Sequence, residues 1–117
     1  MEFKVEFYHT VDGKEPVMDF LDSLNPKLRA KMIGLIDVLQ ESGNQLREPY
    51  TKSLGNGIFE LRAKHGNDLA RSLFFFYHEG RIIITNGFVK KTRKTPRSEI
   101  DTAKKYREDF YCQEGAK

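Results

Sequence analysis

Residues 58–89 read IFELRAKHGNDLARSLFFFYHEGRIIITNGFV, and this part of the chain carries the strongest structural signal. It contains three strand-like runs, over residues 58–64, 69–78 and 81–89, separated by short polar connections. The second connection, Glu79-Gly80, suits a tight turn. Because connections this short join antiparallel neighbours, the residues predict a three-stranded antiparallel meander.

The residues before the meander predict one strand and two helices. Apolar and polar residues alternate over residues 3–8, which is typical of a half-buried strand. Pro16 suits the first position of a helix whose apolar residues recur at helical spacing, namely Val17, Phe20, Leu21 and Leu24. A second helix is predicted to start after Asn25 as N-cap and to end at Gly43, and residues 44–56 are predicted to form a loop.

After the meander, Thr95 and Pro96 predict the N-cap and first position of a last helix, which extends to Tyr111. The order strand, helix, helix, three strands and helix predicts a small α+β domain. We expect its helices to pack mainly on one face of an antiparallel sheet, which would leave the other face open to a ligand. With 117 residues, the chain is predicted to form a single domain over residues 1–117.

Charge is distributed unevenly along the chain. Residues 1–50 hold six Lys and Arg against nine Asp and Glu, whereas residues 51–117 hold fourteen against eight. We therefore place the function in the basic second half. No apolar run is long enough to cross a membrane, and the first residues lack the basic start and apolar stretch of a signal peptide. The single cysteine, Cys112, argues against an internal disulfide and a Cys-based zinc site, so we expect the protein in the reducing cytoplasm.

The densest positive charge lies in residues 88–97, which read FVKKTRKTPR and directly follow the last predicted strand. No acidic residue lies between Glu79 and Glu99. The cations in this run are Lys90, Lys91, Arg93, Lys94 and Arg97. A charge run is often a solvated turn, but like charges at this density repel one another. Their concentration at a strand end therefore favours an anionic partner such as a nucleic acid.

Arg71 is the unusual residue within the predicted strands, because alternation places its guanidinium among apolar side chains. The residues that share its face are Leu73, Phe75 and Tyr77. A charge in such surroundings needs a partner. One interpretation is a structural salt bridge to Glu60 or Glu79, and the other is a preorganised arginine that faces a phosphate. The residues alone leave both open.

The three histidines lack metal-ligand spacing to one another or to a carboxylate pair, so we predict no metal site and no cofactor. His65 lies between two arginine-bearing strands and is either a surface residue or a group that transfers protons near neutral pH. Tyr77 and Phe88 could stack on nucleobases or pack in the core. Phe74 and Phe76 are assigned to the core.

Several of these residues form a series that resembles one family. The series runs from Leu54 to Arg62 as LGNGIFELR, continues with Arg71 and the aromatic strand that ends at Tyr77, and then reads GFVKKTRKTP over residues 87–96. In this order it resembles the HigB branch of the RelE-like toxins, a group that includes phage-derived proteins. The resemblance covers the second half of the chain by motif, and the N-terminal strand and helix pair by pattern only.

The resemblance implies a RelE-like fold and the toxin component of a type II toxin–antitoxin system. It implies an endoribonuclease (mRNA interferase) that cleaves mRNA, typically on the ribosome during translation, and that needs no metal. It also implies neutralisation by a HigA-like antitoxin with a helix-turn-helix domain. Such a complex represses its own operon, so the toxin would meet operator DNA only through the antitoxin.

Matched by position, Arg62 and Arg71 correspond to the strand arginines of the family's active site, and Lys90 and Lys91 to its C-terminal basic element. Metal-free cleavage of RNA uses the adjacent 2′-OH as nucleophile and needs in-line positioning, charge stabilisation and proton transfer. We assign charge stabilisation to the two arginines, whose planar groups grip phosphate bidentately. Lys90 or Lys91 is the first candidate base, and His65 is the second. The residues predicted to bind RNA are Lys64, Tyr77, Phe88, Arg93, Lys94 and Arg97.

Two other functions fit the same basic residues. The first is a non-catalytic RNA- or DNA-binding module, because binding needs phosphate neutralisation but no acid–base pair. The second is a protein-interaction domain whose basic surface meets an acidic partner. Arginines inside the sheet favour chemistry over simple binding, because simple binders usually place their cations on the rim.

Overall fold

The computed structural model describes residues 3–89 and 94–115, which form a five-stranded sheet with helices on both faces. In chain order the elements are β1 (Lys4–Phe7), α1 (Pro16–Ser23), α2 (Pro26–Ser42), β2 (Thr51–Gly55), β3 (Ile58–His65), β4 (Asp68–Tyr77), β5 (Arg81–Val89) and α3 (Arg97–Gly115). Short 3₁₀ turns occupy Gly43–Gln45 and His78–Gly80. The predicted α+β class is therefore confirmed.

The strands lie in the order β1-β5-β4-β3-β2. The predicted meander is confirmed, because β3, β4 and β5 pair antiparallel. The sheet as a whole is mixed rather than wholly antiparallel, since β1 pairs parallel with β5 and places Val5 opposite Ile82. A parallel pair needs a long connection, and here the connection includes both α1 and α2 as well as the other three strands.

The strand β2 lies in the region that the sequence predicted to be a loop. Its residues, TKSLG, show little apolar alternation, so periodicity gave no signal. The strand forms because a tight turn folds it back onto β3, where Lys52 lies opposite Glu60. That turn contains three consecutive residues with positive φ, which are Gly55, Asn56 and Gly57. Glycine and asparagine adopt this backbone more readily than other residues.

The helices α1 and α2 pack on one face of the sheet and begin as predicted. The side chain of Asn25 accepts a hydrogen bond from the backbone N–H of Leu28 at 2.9 Å, and Pro26 opens α2. Gly43 follows the last residue of α2 with a φ of 55°. The core on this face includes Val17, Leu21, Leu28, Met32, Leu39, Leu61, Phe74 and Ile84, with Phe76 packed against it. The assignment of Phe74 and Phe76 to the core is therefore confirmed.

The helix α3 covers the opposite face, so the expectation that this face is open was wrong. Phe110 of α3 packs there with Phe75 and Ile83, and Ala103 packs with Ile58 and Leu73 in a second apolar cluster. The strands carry apolar side chains on both faces of the sheet, and burying each large side chain contributes about 1.5–3 kcal/mol. A second helical layer therefore forms.

Gly87 lies at the point where α1 approaches the sheet closely. A Cβ atom at this position would lie 2.3 Å from the Phe20 ring of α1, which is too close for any real contact. We expect Gly87→Ala to lower the free energy of unfolding by about 1–3 kcal/mol, because the ring must move within a packed core. Urea denaturation followed by circular dichroism measures the change.

The matched control is Gly34→Ala in α2, where the added methyl meets nothing within 4 Å. Alanine is the better helix former, so this variant should gain about 0.5–1 kcal/mol. Equal urea midpoints for the two variants would contradict the close approach of Phe20.

Candidate functional site

One row of the sheet carries three of the predicted residues. Arg62 on β3 lies opposite Arg71 on β4, and Arg71 lies opposite Phe88 on β5. Neighbouring strands are about 4.8 Å apart, so these side chains leave the sheet next to one another on the face that α3 covers. The guanidinium carbon of Arg71 lies 5.9 Å from the centre of the Phe88 ring, within cation–π range.

A β-bulge in β5 places Phe88 on this face. Next to Leu73, the partner residue on β5 moves from Asn86 to Ile84, which leaves Thr85 as the extra residue. Alternation restarts after a bulge, so Phe88 points to the opposite face from Ile84 although an even number of positions separates them. The Thr85 hydroxyl donates to the Leu73 carbonyl at 3.2 Å, which ties the bulge to β4.

Arg71 is fully enclosed, and its neighbours include Glu60 and Thr95. Its side chain is 0% exposed, and that of Glu60 on β3 is 1% exposed. The Nε atom of Arg71 lies 3.6 Å from Oε2 of Glu60. Nη1 of Arg71 donates to the Thr95 hydroxyl at 2.9 Å, and this hydroxyl donates to Glu60 Oε2 at 2.7 Å. Of the two interpretations that the sequence left open, the geometry matches the salt bridge to Glu60.

The row of Arg62 and Arg71, together with Glu60, holds more positive than negative charge. Burial lowers the pKa of the Arg71 guanidinium, because a charged group is less stable away from water. The carboxylate of Glu60 raises that pKa, and the positive charge of Arg62 lowers it further. Because guanidinium groups stay protonated in proteins, two positive charges lie beside one negative charge. The excess positive charge favours an anion.

Arg62 is the half-buried arginine of the pair, and it forms no ion pair with a described carboxylate. Its Nε atom is buried and has no hydrogen-bond partner among the described residues. Lys64 follows two positions later on β3, so alternation places it on the same face as Arg62. Lys64 is exposed. Arg62 and Lys64 also line a groove of about 780 Å³ that runs past α2 and Tyr50.

The described part of the basic segment, residues 94–97, lies near the same end of the sheet. Thr95 is anchored on β3 through Glu60, and the exposed Lys94 and Arg97 flank it in the chain. The remaining cations of the segment lie outside the described residues, and these are Lys90, Lys91 and Arg93. Lys94 and Arg97 are therefore near the arginine row through their attachment to Thr95.

Two predicted residues lie apart from this row. Tyr77 is six positions beyond Arg71 on β4, a distance of about 20 Å at the usual rise of a strand. It stacks on Tyr111, with ring centres 5.7 Å apart, and contacts the Arg81 guanidinium. His65 is three positions beyond Arg62 on β3, so alternation places it on the opposite face.

Residues 3–89 and 94–115 contain no candidate metal-binding cluster and no candidate membrane-spanning helix. No group of three or more His, Cys, Asp or Glu side chains in these ranges could hold a metal ion. No helix in them is both long enough and apolar enough to cross a bilayer.

Thr95 is the residue of this site that sequence reasoning misplaced. The pattern Thr-Pro predicts a helix N-cap, but α3 begins at Arg97 and the Thr95 hydroxyl bridges Glu60 and Arg71 instead. The pairing of Glu60 with Arg71 could be expected from the sequence, because the two residues lie on the same face of adjacent predicted strands. A buried ion pair needs further hydrogen bonds, but local sequence does not say which hydroxyl supplies them.

The fold is a small α+β domain whose five-stranded sheet carries Arg62, Lys64 and Arg71 towards one end. The family described as "Phage derived protein Gp49-like (DUF891)" matches residues 19–108 of this chain. The chain is also 31% identical over 97 residues to "Probable endoribonuclease HigB1" of Mycobacterium tuberculosis, in strains CDC 1551 / Oshkosh and ATCC 25618 / H37Rv. That alignment covers 83% of this chain and 75% of each relative.

The chain therefore belongs to the Gp49-like family of phage-derived proteins, within the RelE-like toxin superfamily. This confirms the family that the motifs in the second half of the chain indicated. Among solved structures, the archaeal RelE-RelB complex from Pyrococcus horikoshii OT3 aligns with a TM-score of 0.49 at 16% identity. The alignment covers 80% of this chain and 100% of that chain.

The buried ion pair leads to a prediction about stability. Glu60→Gln keeps an acceptor for the Thr95 hydroxyl but leaves the Arg71 charge buried without its carboxylate. We expect the free energy of unfolding to fall by about 3–5 kcal/mol, as measured by urea denaturation.

The matched control is Glu6→Gln, which removes one carboxylate from a partly exposed ion pair with Arg81. It should cost no more than about 1 kcal/mol, because water screens the pair and Glu114 still binds Arg81. A Glu60→Gln variant as stable as this control would contradict the structural role of the buried pair.

Proposed function

We propose that this chain is the toxin of a type II toxin–antitoxin pair and that it cleaves mRNA as an endoribonuclease, which inhibits translation. Membership of the family and the relatives named endoribonuclease support the reaction class. The observation that carries the proposal is the environment of Arg62. It lies beside a second arginine and on the same face as Lys64, and no described carboxylate neutralises it.

The proposed reaction uses groups that RNA itself provides. A base takes the proton of the 2′-OH as its oxygen attacks the adjacent phosphorus. The bond to the 5′ oxygen of the next nucleotide breaks as that oxygen takes up a proton, and the products are a 2′,3′-cyclic phosphate and a 5′-OH end. Negative charge builds up on the phosphate oxygens in the transition state. A preorganised guanidinium stabilises that charge, which is the task we assign to Arg62. This chemistry needs no metal, because the nucleophile is already in place.

The other residues of the site have supporting tasks in this proposal. Arg71 lies buried beside Arg62 and is held by Glu60. The exposed cations proposed to bind the RNA backbone are Lys64, Lys94 and Arg97. Phe88 is the stacking candidate beside the row, whereas Tyr77 lies at the far end of β4. Lys90, Lys91 and Arg93 remain sequence-based candidates. Proton transfer is proposed for Lys90 or Lys91, because His65 occupies the opposite face of β3 from Arg62.

The wider context of the proposal comes from the family resemblance. We propose that cleavage occurs on mRNA engaged with the ribosome, in the cytoplasm. We also propose that an antitoxin with a helix-turn-helix domain neutralises the chain and carries the complex to operator DNA. Excess positive charge at one end of the sheet supports contact with such polyanions.

The test is induction of the chain in bacterial cells, first alone and then with the neighbouring reading frame. We expect growth arrest and fragmented mRNA with the chain alone, and rescue by the neighbour. Arg62→Gln should reduce the rate of mRNA fragmentation by ~10²–10³, because it removes a charged donor from the transition state. Primer extension on an abundant transcript measures the fragmentation.

The matched control is Lys27→Gln, which removes one positive charge from an exposed position in the first turn of α2. It should leave growth arrest and fragmentation unchanged. RNA binding without fragmentation would favour the non-catalytic binding module instead. Full toxicity of Arg62→Gln at wild-type protein levels would remove Arg62 from the site.

A further inference from the structure

We infer that the two arginines of the row have different tasks. Arg71 is a positioning residue, and of the two arginines only Arg62 contacts the phosphate at which the RNA is cut. This inference rests on the proposed function and departs from the simpler expectation that both arginines grip the substrate. It also assigns a role to Glu60 and Thr95, which hold Arg71 in place.

Arg71 is unable to reach a phosphate from its position. Its side chain is fully buried, and the groups that enclose it include Glu60, Thr95 and the Phe88 ring. To turn outward, Arg71 would have to leave the Glu60 carboxylate as an uncompensated buried charge, which proteins rarely tolerate. Its task is therefore internal to the protein.

Arg62 is more accessible to a ligand than Arg71. The residue is only half-buried, and it lines the groove together with Lys64. Its buried Nε atom has no acceptor among the described residues, which is unusual for a buried donor in a native structure. A phosphate bound at the guanidinium would supply acceptors to a side chain that the protein itself leaves partly unsatisfied.

The positioning effect follows from competition for one carboxylate. Glu60 lies two positions before Arg62 on β3 and on the same face, about 7 Å away along the strand. A buried carboxylate at that distance would pair with Arg62 if nothing else neutralised it. Arg71 prevents this capture, because it occupies Glu60 from the neighbouring strand. Arg62 is thereby kept available for the substrate.

Three variants test this division of tasks. Arg71→Met frees Glu60 and should weaken RNA binding by about tenfold or more, because Arg62 is then captured. Glu60→Gln/Arg71→Met also removes the competing charge, and it should melt near the wild-type temperature and bind RNA within about threefold of wild type. Arg62→Gln should fold normally and bind about tenfold or more weakly.

The probe is a fluorescein-labelled single-stranded RNA oligonucleotide with 2′-O-methyl riboses, which the proposed chemistry cannot cut. Fluorescence anisotropy gives the Kd, and thermal melting reports folding for each variant. Fragmentation of mRNA in cells, scaled to soluble protein, provides the activity readout. Restored binding in the double variant, which lacks the Arg71 guanidinium, is expected only if Arg71 acts through Arg62.

A folded double variant that binds as weakly as Arg62→Gln would overturn the inference, because Arg71 itself would then contact the phosphate. If the double variant does not fold, Arg71→Lys decides the question, since it keeps a charge for Glu60 but loses the planar fork. Binding within about threefold of wild type supports positioning, and a loss equal to that of Arg62→Gln overturns it.

Failure of the proposed function has a different signature. A wild-type protein that binds the oligonucleotide but never fragments mRNA would overturn the nuclease proposal. The order of the Kd values among the variants would still decide which arginine meets the phosphate. A wild-type protein that binds no RNA would overturn both.

Discussion

The buried ion pair between Glu60 and Arg71 is the interaction on which this end of the molecule depends. It joins β3 to β4, and through the Thr95 hydroxyl it fixes the segment that leads into α3. Charges are buried in proteins only when their partners and hydrogen bonds are complete. The three side chains must therefore assemble together, and Lys94 lies beside this assembly because it precedes Thr95 in the chain.

Much of the fold could be predicted from local patterns. Alternation and short turns gave the meander, and helical spacing with Asn25, Pro26 and Gly43 gave both ends of α2. The features that were missed depend on contacts between distant segments. The strand β2 exists because of a turn and a partner strand rather than its own composition, and α3 is placed by apolar side chains on the second face of the sheet.

The candidate site was predicted in part, for similar reasons. The pairing of Arg62 with Arg71 follows from the register of two adjacent strands, and the sequence suggested both residues. The face of Phe88 could not be predicted, because a single extra residue, Thr85, reverses the alternation before it. The distance of Tyr77 from the arginines was overlooked, since sharing a face does not mean sharing a site on a ten-residue strand.

The parallel pairing of β1 with β5 has a consequence for the order of folding. Glu6 on β1 binds Arg81, 75 positions later, and the hydroxyl of Tyr8 donates to Asp109, 101 positions later. Contacts this distant form slowly, and during synthesis they must wait for the later residues to leave the ribosome. A growing chain can therefore fold its first helices early, but its first strand stays without a neighbouring strand until β5 has been synthesised. The domain matures only after residues 81–109 have left the ribosome.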